Sequence, residues 1–268
     1  MRSGFWQELT TRDFANPDPE KTIALLPVAA IEQHGPHLPL ATDAMINAGI
    51  VAATMARLPE HLSLLVLPAL TVGSSLEHTD FAGTLSIDAE TLLETWKQIG
   101  GCVARTGIRK LVILNTHGGQ TALVDLAALH LRATHAMLVA RANYTRFGTP
   151  EGLFSEQELA EDIHGGLVET SLMLYLQPDL VKRDAIEAFA GLPSKLAERN
   201  AELGVEKPIG LGWMSQDLHP SGACGNAAGA DAHRGKAYLE HIANALVRLL
   251  AELTATPLSV IGNGSAER

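Results

Sequence analysis

Between positions 32 and 43 the chain reads Glu-Gln-His-Gly-Pro-His-Leu-Pro-Leu-Ala-Thr-Asp, so Glu32, His34, His37 and Asp43 fall within one short segment. In extended backbone, residues two apart project to the same side, which lets Glu32 and His34 converge on one point. Asn115-Thr116-His117-Gly118-Gly119 delivers another imidazole on glycine-rich backbone that permits close approach of a ligand. His164-Gly165-Gly166-Leu167-Val168-Glu169 sets a histidine and a glutamate five apart, with the carboxylate at the favourable end of a helix dipole. Glu32, His34, Asp43, His117 and Glu169 make a mixed oxygen and nitrogen donor set suited to Zn, Mn or Fe, with no need of a thiolate. A bridging carboxylate, for which Asp43 is the candidate, would let two ions lie roughly 3.5–4 Å apart. Taken singly, Asp43 reads as a helix cap, His37 as a packed residue and Gly118-Gly119 as a turn. Metal-compatible groups placed at two strand ends and two helix starts point to a site.

These residues need elements to hold them. Short apolar runs at Thr22–Ala30, Leu62–Leu67, Lys110–Asn115 and Ala136–Tyr144 read as buried strands. Amphipathic segments at Asp43–Leu58, Asp88–Arg105, Gly119–Ala133, Gly166–Gln177 and Gly235–Leu253 read as helices. The alternation predicts an α/β fold, a mainly parallel sheet flanked by helices, with ligands gathered at the carboxyl ends of the strands. Gly204–Gly235, with Pro208, Gly210, Gly212, Pro220, Gly222, Gly225 and Gly229 inside it, predicts a long ordered loop of functional or interface character. Neither repeat nor linker divides the chain, so one domain over residues 1–268 is expected, with a frayed tail after Ile261.

Composition narrows the function classes. Twenty Lys+Arg against 30 Asp+Glu give a net charge of -10, which argues against a nucleic-acid groove. No stretch reaches the ~18 apolar residues of a membrane span, and the N-terminus lacks a signal-peptide core. Cys102 and Cys224 form no C-x-x-C pair, and a reducing, cytoplasmic setting is expected. Gly229–Lys236 imitates a phosphate loop, but its glycine spacing is one residue too long and Ala237 replaces the hydroxyl residue. Neither a G-x-S-x-G elbow nor a strand-linked G-x-G-x-x-G is present.

Over nearly its full length the sequence resembles the creatininase family of metal hydrolases. The likeness rests on Trp6-Gln7-Glu8-Leu9-Thr10, the Pro27–Leu40 block with Thr42-Asp43, and Gly73-Ser74-Ser75-Leu76-Glu77-His78 with Gly83-Thr84. It also rests on Asn115–Gly119, on His164-Gly165-Gly166 with Glu169-Thr170-Ser171, and on the Pro220-Ser221-Gly222…Gly225 loop. The resemblance implies an α/β/α sandwich and two divalent metal ions, Zn foremost, with Mn or Fe as alternatives at one site. One ion would be held by Glu32, Asp43 and His117, the other by His34, the shared Asp43 and a further carboxylate. Creatinine-cleaving members carry a glutamate where this chain has Gly119, and Glu169 looks like its substitute, as ligand, as base or as both. His164 is then the expected general acid, with Ser75 and the Gly118 backbone as substrate contacts, while Glu77 and His78 read as an exposed pair bracing their loop. Trp6, Trp96 and Trp213 are the only tryptophans, and none corresponds to those that shape a creatinine pocket. The implied activity is water attack on a C–N bond of a small cyclic amide, lactam or formamide. Creatinine hydrolysis, sugar-ring or keto-inositol hydrolysis, and a non-catalytic metal-stabilised binding protein stand as alternatives. A homohexamer with a small-molecule amide substrate completes the implied picture.

Overall fold

The computed structural model describes residues 3–206 and 209–262. Five parallel strands, β1 (Gly4–Phe5), β2 (Thr22–Val28), β3 (Ser63–Val66), β4 (Lys110–Asn115) and β5 (Leu138–Asn143), form one sheet in the order β1-β3-β2-β4-β5. Two-residue periodicity sends alternate side chains to opposite faces. Ile23, Leu25, Val112 and Leu114 pack with helices α1 (Thr42–Met55), α5 (Leu167–Leu176) and α8 (Ala232–Ala255). Ala24, Leu26, Leu111 and Ile113 pack on the other face with α2 (Ala89–Arg105) and α3 (Thr121–His135), where Trp96 is wholly buried. This is the expected α/β sandwich. Short helices α4 (Glu156–Glu161), α6 (Leu192–Ala197) and α7 (Ser215–Leu218), with an antiparallel pair of β6 (Ala188–Phe189) and β7 (Gly225–Asn226), lie outside the sheet.

From β2 the chain goes to β3 on one side and later to β4 on the other, so the sheet changes direction between β2 and β4. A crevice opens at such a switch point, beyond the carboxyl ends of the strands. The segments that leave β2 and β4 there carry Glu32, His34 and His117.

The expected strands and helices all occur, with shifted ends. Asp43 does not cap α1: the helix starts at Thr42 after an uncapped Ala41, and the Asp43 carboxylate is buried instead. The last helix starts at Ala232 rather than Gly235, because Asp231 caps it by accepting from the Arg234 N–H at 2.9 Å. Gly235 sits within α8 for packing, not as a boundary: a Cβ there would strike the Ser171 carbonyl of α5. The expected loop over Gly204–Gly235 therefore ends early and contains α7 and β7. Pro208 within it, and the tail beyond Gly262, lie outside the described residues. The two-residue β1 escapes periodicity altogether.

At the opposite end of the strands, Lys110 opens β4 with no solvent exposure. Its Nζ donates to the carbonyls of Glu20, of Leu253 at 2.8 Å and of Thr256 at 2.7 Å, closing the carboxyl end of α8. A cation there answers both the unpaired carbonyls and the negative end of the helix dipole. Burial holds its pKa below the usual lysine range, against the pull of Glu20. Lys110→Met should cost about 3 kcal/mol and lower the thermal midpoint by roughly 5–10 °C, read by calorimetry. Because the site lies at the other end of β4, the kcat of the folded variant should match that of the unaltered protein.

Candidate metal centre

Three imidazoles share one design. His34 Nδ1 donates to the Glu32 carbonyl at 3.0 Å, His117 Nε2 to the Ser74 carbonyl at 2.9 Å, and His164 Nε2 to the Gln33 carbonyl at 2.5 Å. A carbonyl only accepts, so each bond fixes the tautomer and leaves the other ring nitrogen bare. Those bare nitrogens face carboxylates. His117 Nδ1 lies 3.2 Å from Glu32 Oε1 and 3.4 Å from Asp43 Oδ2. His34 Nε2 lies 3.3 Å from Asp43 Oδ1 and 3.9 Å from Glu169 Oε2, and His164 Nδ1 lies 3.8 Å from Glu32 Oε1.

Lone pairs thus meet lone pairs in a buried place. Glu32 and Asp43 are each 1% exposed, and both Glu32 oxygens and Asp43 Oδ2 lack a hydrogen-bond partner among the described residues. Only positive charge resolves that arrangement. The imidazoles' own proton affinity registers the demand: burial works against their cations, yet Asp43, Glu169 and Glu32 lift His34 to about 9. Glu32 and Asp43 likewise raise His117 well above the ordinary histidine range, against burial. Divalent cations meet the same demand, and the donors fall into suitable groups. Glu32, Asp43 and His117, then His34, Asp43 and Glu169, and also Glu32, His34 and His164, each bring one donor atom apiece within 4.8 Å of one another.

Glu169 is positioned by the N-terminal turn of α5, where its Oε2 accepts from the Gly165 N–H at 2.7 Å. Burial raises its carboxyl to about 7, against the pull of His34. Burial and neighbouring His34 hold His164 down at about 4, so it stands neutral. Just ahead of α5, Asp162 accepts from the N–H groups of Leu167 at 2.6 Å and Val168 at 2.9 Å, pinning the turn that carries both residues.

Not every expected residue reaches this place. His37 is buried away from the donor groups, its Nε2 2.8 Å from Thr170 Oγ1 and its ring stacked on Phe189. Ser75 is fully buried and does not line the cavity; Ser74, its neighbour, meets His117 instead. Gly118 does line the cavity. Glu77 and His78 are not an exposed brace. His78 is 1% exposed with Nε2 3.3 Å from Glu32 Oε1, and Glu77 Oε1 lies 3.5 Å from His117 Nε2. The Gly35 N–H donates to Gln33 Oε1 at 2.9 Å, so the Gln33 amide nitrogen, 2.8 Å from His78 Nδ1, is the donor there. His78 Nδ1 is therefore an acceptor and Nε2 carries the proton, but its approach to Glu32 Oε1 makes no hydrogen bond. Their placement by the single turn Leu76–His78, off any strand end or long helix, hid both from periodicity.

The centre opens into a cavity of about 1020 Å³ whose far wall includes Leu159, Leu203, Val205 and Trp213. Residues 7–250 match the creatininase family, described as creatinine amidohydrolase. The chain belongs to the creatininase family. It is 34% identical over 197 residues to a mycofactocin precursor peptide peptidase of Mycobacterium ulcerans, covering 70% of this chain and 72% of that protein. It is 34% identical over 202 residues to a creatinine amidohydrolase of Pseudomonas putida, covering 69% of this chain and 76% of that one. A solved mutant creatininase of Zn-Zn type superposes with a TM-score of 0.74 at 27% identity, over 94% of this chain and 98% of that chain.

Within the creatininase family, the glycine at position 119 has a steric reason here. A Cβ on Gly119 would collide with Glu77 Oε1 and press on His117 Nε2, so the Glu77 carboxylate fills the space a side chain at 119 would need. Gly119→Ala should therefore displace Glu77 or His117 and lower metal content per chain, measured by elemental analysis. Adding Glu77→Ala to that variant should restore part of the loss, since it removes the colliding carboxylate.

Proposed function

We propose that this creatininase-family hydrolase cleaves a C–N bond in a small cyclic amide, lactam or formamide, using two divalent cations, Zn foremost. Family membership makes it a hydrolase of C–N bonds. The observation that carries the finer reading is the set of buried carboxylate oxygens without hydrogen-bond partners, facing bare imidazole nitrogens. Glu32, Asp43 and His117 would hold one cation; His34, Asp43 and Glu169 would hold the other. When bound, such ions polarise a substrate carbonyl and acidify water toward ~7.

The chain's own residues do the rest. Glu169, its carboxyl near 7, and neutral His164 both lie on the cavity wall and can take a proton from attacking water. His164 Nδ1, once protonated, returns that proton to the leaving nitrogen, while its Nε2–H bond to Gln33 keeps the ring aimed. The Gly118 backbone lies on the cavity wall within reach of substrate.

The cavity volume of about 1020 Å³ favours a second reading, an extended amide such as a peptide. Two free thiols, Cys102 exposed and Cys224 buried, suit a reducing, cytoplasmic setting. Among the described residues, no helix is long and apolar enough to cross a membrane. Leu126 and Leu129 on α3 are 52% and 67% exposed, apolar surface that a homo-oligomer, a hexamer by family resemblance, would cover.

The reading is tested by elemental analysis of chelator-free protein with a substrate panel of creatinine, formamides, lactams and short peptides. Near two equivalents of Zn, Mn or Fe per chain, with turnover that a chelator abolishes, is the expected outcome. His117→Ala should lose metal and all detectable hydrolysis while staying folded by circular dichroism; normal turnover in it would sink the assignment. His164→Ala should lose turnover but keep its metal, and loss of metal would make His164 a ligand instead.

A further inference from the structure

Among the charged groups around the cavity, one cation stands alone. Six carboxylates line the cavity, and none is paired with a Lys or Arg among the described residues. Glu32 and Asp43 face histidines, and Glu77 lies 3.5 Å from His117. Asp162 and Glu169 accept backbone N–H groups, and Glu206 accepts from Trp213 Nε1 at 3.1 Å. Arg146 is the one Lys or Arg on the wall, and it makes neither an ion pair nor a side-chain hydrogen bond among the described residues. An arginine beside six acids would ordinarily pair with one of them; here the six face histidines, backbone N–H groups or Trp213 instead.

The backbone under Arg146 is fixed with respect to the centre. Parallel pairing of β4 and β5 sets Asn115 opposite Asn143, so His117 leaves the sheet two residues past one and Arg146 three past the other. Asn143 Oδ1 accepts from Asn115 Nδ2 at 2.9 Å, and that same nitrogen donates to the His117 carbonyl at 2.6 Å. Asn143 Nδ2 donates to Thr121 Oγ1 at 3.2 Å. Tyr144 is buried, and the Phe147 carbonyl accepts from His241 Nε2 at 3.0 Å. The Arg146 side chain is exposed, on a segment held by buried Tyr144 on one side and by the Phe147 carbonyl on the other.

A guanidinium presents a planar fork of N–H donors that matches a carboxylate in two parallel hydrogen bonds. We infer that Arg146 is a specificity residue that binds a carboxylate on the amide substrate, distant from the bond being cleaved. This rests on the hydrolase reading above, and it narrows the substrate to an anionic amide.

The test uses matched twins that differ only in that group: pyroglutamate and N-formylglycine against their carboxamides, with the metal-loaded protein. Binding is read by calorimetry and turnover by kcat/KM, for the unaltered protein, Arg146→Ala and Arg146→Lys. The acid twins should bind more tightly than the amides, and Arg146→Ala should shrink the acid-to-amide ratio about 10- to 100-fold. Arg146→Lys, which keeps the charge and loses the fork, should fall between. Equal binding of the twins by the unaltered protein would overturn the inference, as would an acid preference that survives in Arg146→Ala, where the cations themselves would be the carboxylate's partner. Acid-selective binding abolished by Arg146→Ala, with no turnover of either twin, would support the subsite while counting against hydrolysis of these amides.

Discussion

Two carboxylates, Glu32 and Asp43, lie 1% exposed at the switch point of the sheet, and the surrounding architecture answers the cost of placing them there. Removing an ion from water costs several kcal/mol even after relaxation, so the fold must supply compensating charge or donors. Backbone donors are not supplied to Glu32: both of its oxygens are without a hydrogen-bond partner. Imidazoles are supplied instead, and each is turned by a carbonyl so that its bare nitrogen faces inward. Those carbonyls belong to Glu32 and Gln33 in the segment after β2 and to Ser74 in the segment after β3. The geometry of the centre is therefore written into the backbone of the strand-end segments, not into long side chains reaching from afar.

Much of this was legible before any coordinates. Glu32 and His34 were findable because two-residue spacing past an apolar strand has one geometric meaning, and His117 because the next strand ends the same way. Glu169 was findable because a carboxylate in a helix's first turn has a dipole to sit in. Asp43 was legible as a bridging carboxylate only in company: alone, local rules read it as a cap, and it is the field of His34 and His117 that claims the carboxylate. Glu77 and His78 were illegible for a different reason. Their inward aim depends on a single turn held by long-range bonds, Ser215 Oγ to the Glu77 carbonyl at 3.0 Å and Gln33 to His78, which periodicity cannot detect. Gly235 misled in the same way, since a glycine that makes room for another helix looks like one that ends its own.

The contrast between the two ends of β4 separates structural from functional burial of charge. At the amino end, Lys110 is fully buried and closely satisfied: an ammonium has three protons, and the carbonyls of Glu20, Leu253 and Thr256 take them. Such a site is closed, and it does one thing, which is to hold α8 against the sheet. At the carboxyl end, the Glu32 oxygens and the inward imidazole nitrogens have more accepting capacity than the described residues have protons to give. A shortage of that kind raises the energy of the folded chain by itself, so it persists only where something other than the chain completes it. The sheet thus carries its stabilising charge where saturation is complete and its chemistry where saturation is withheld. In this protein, the balance of donors and acceptors around a buried charge indicates function more directly than burial itself.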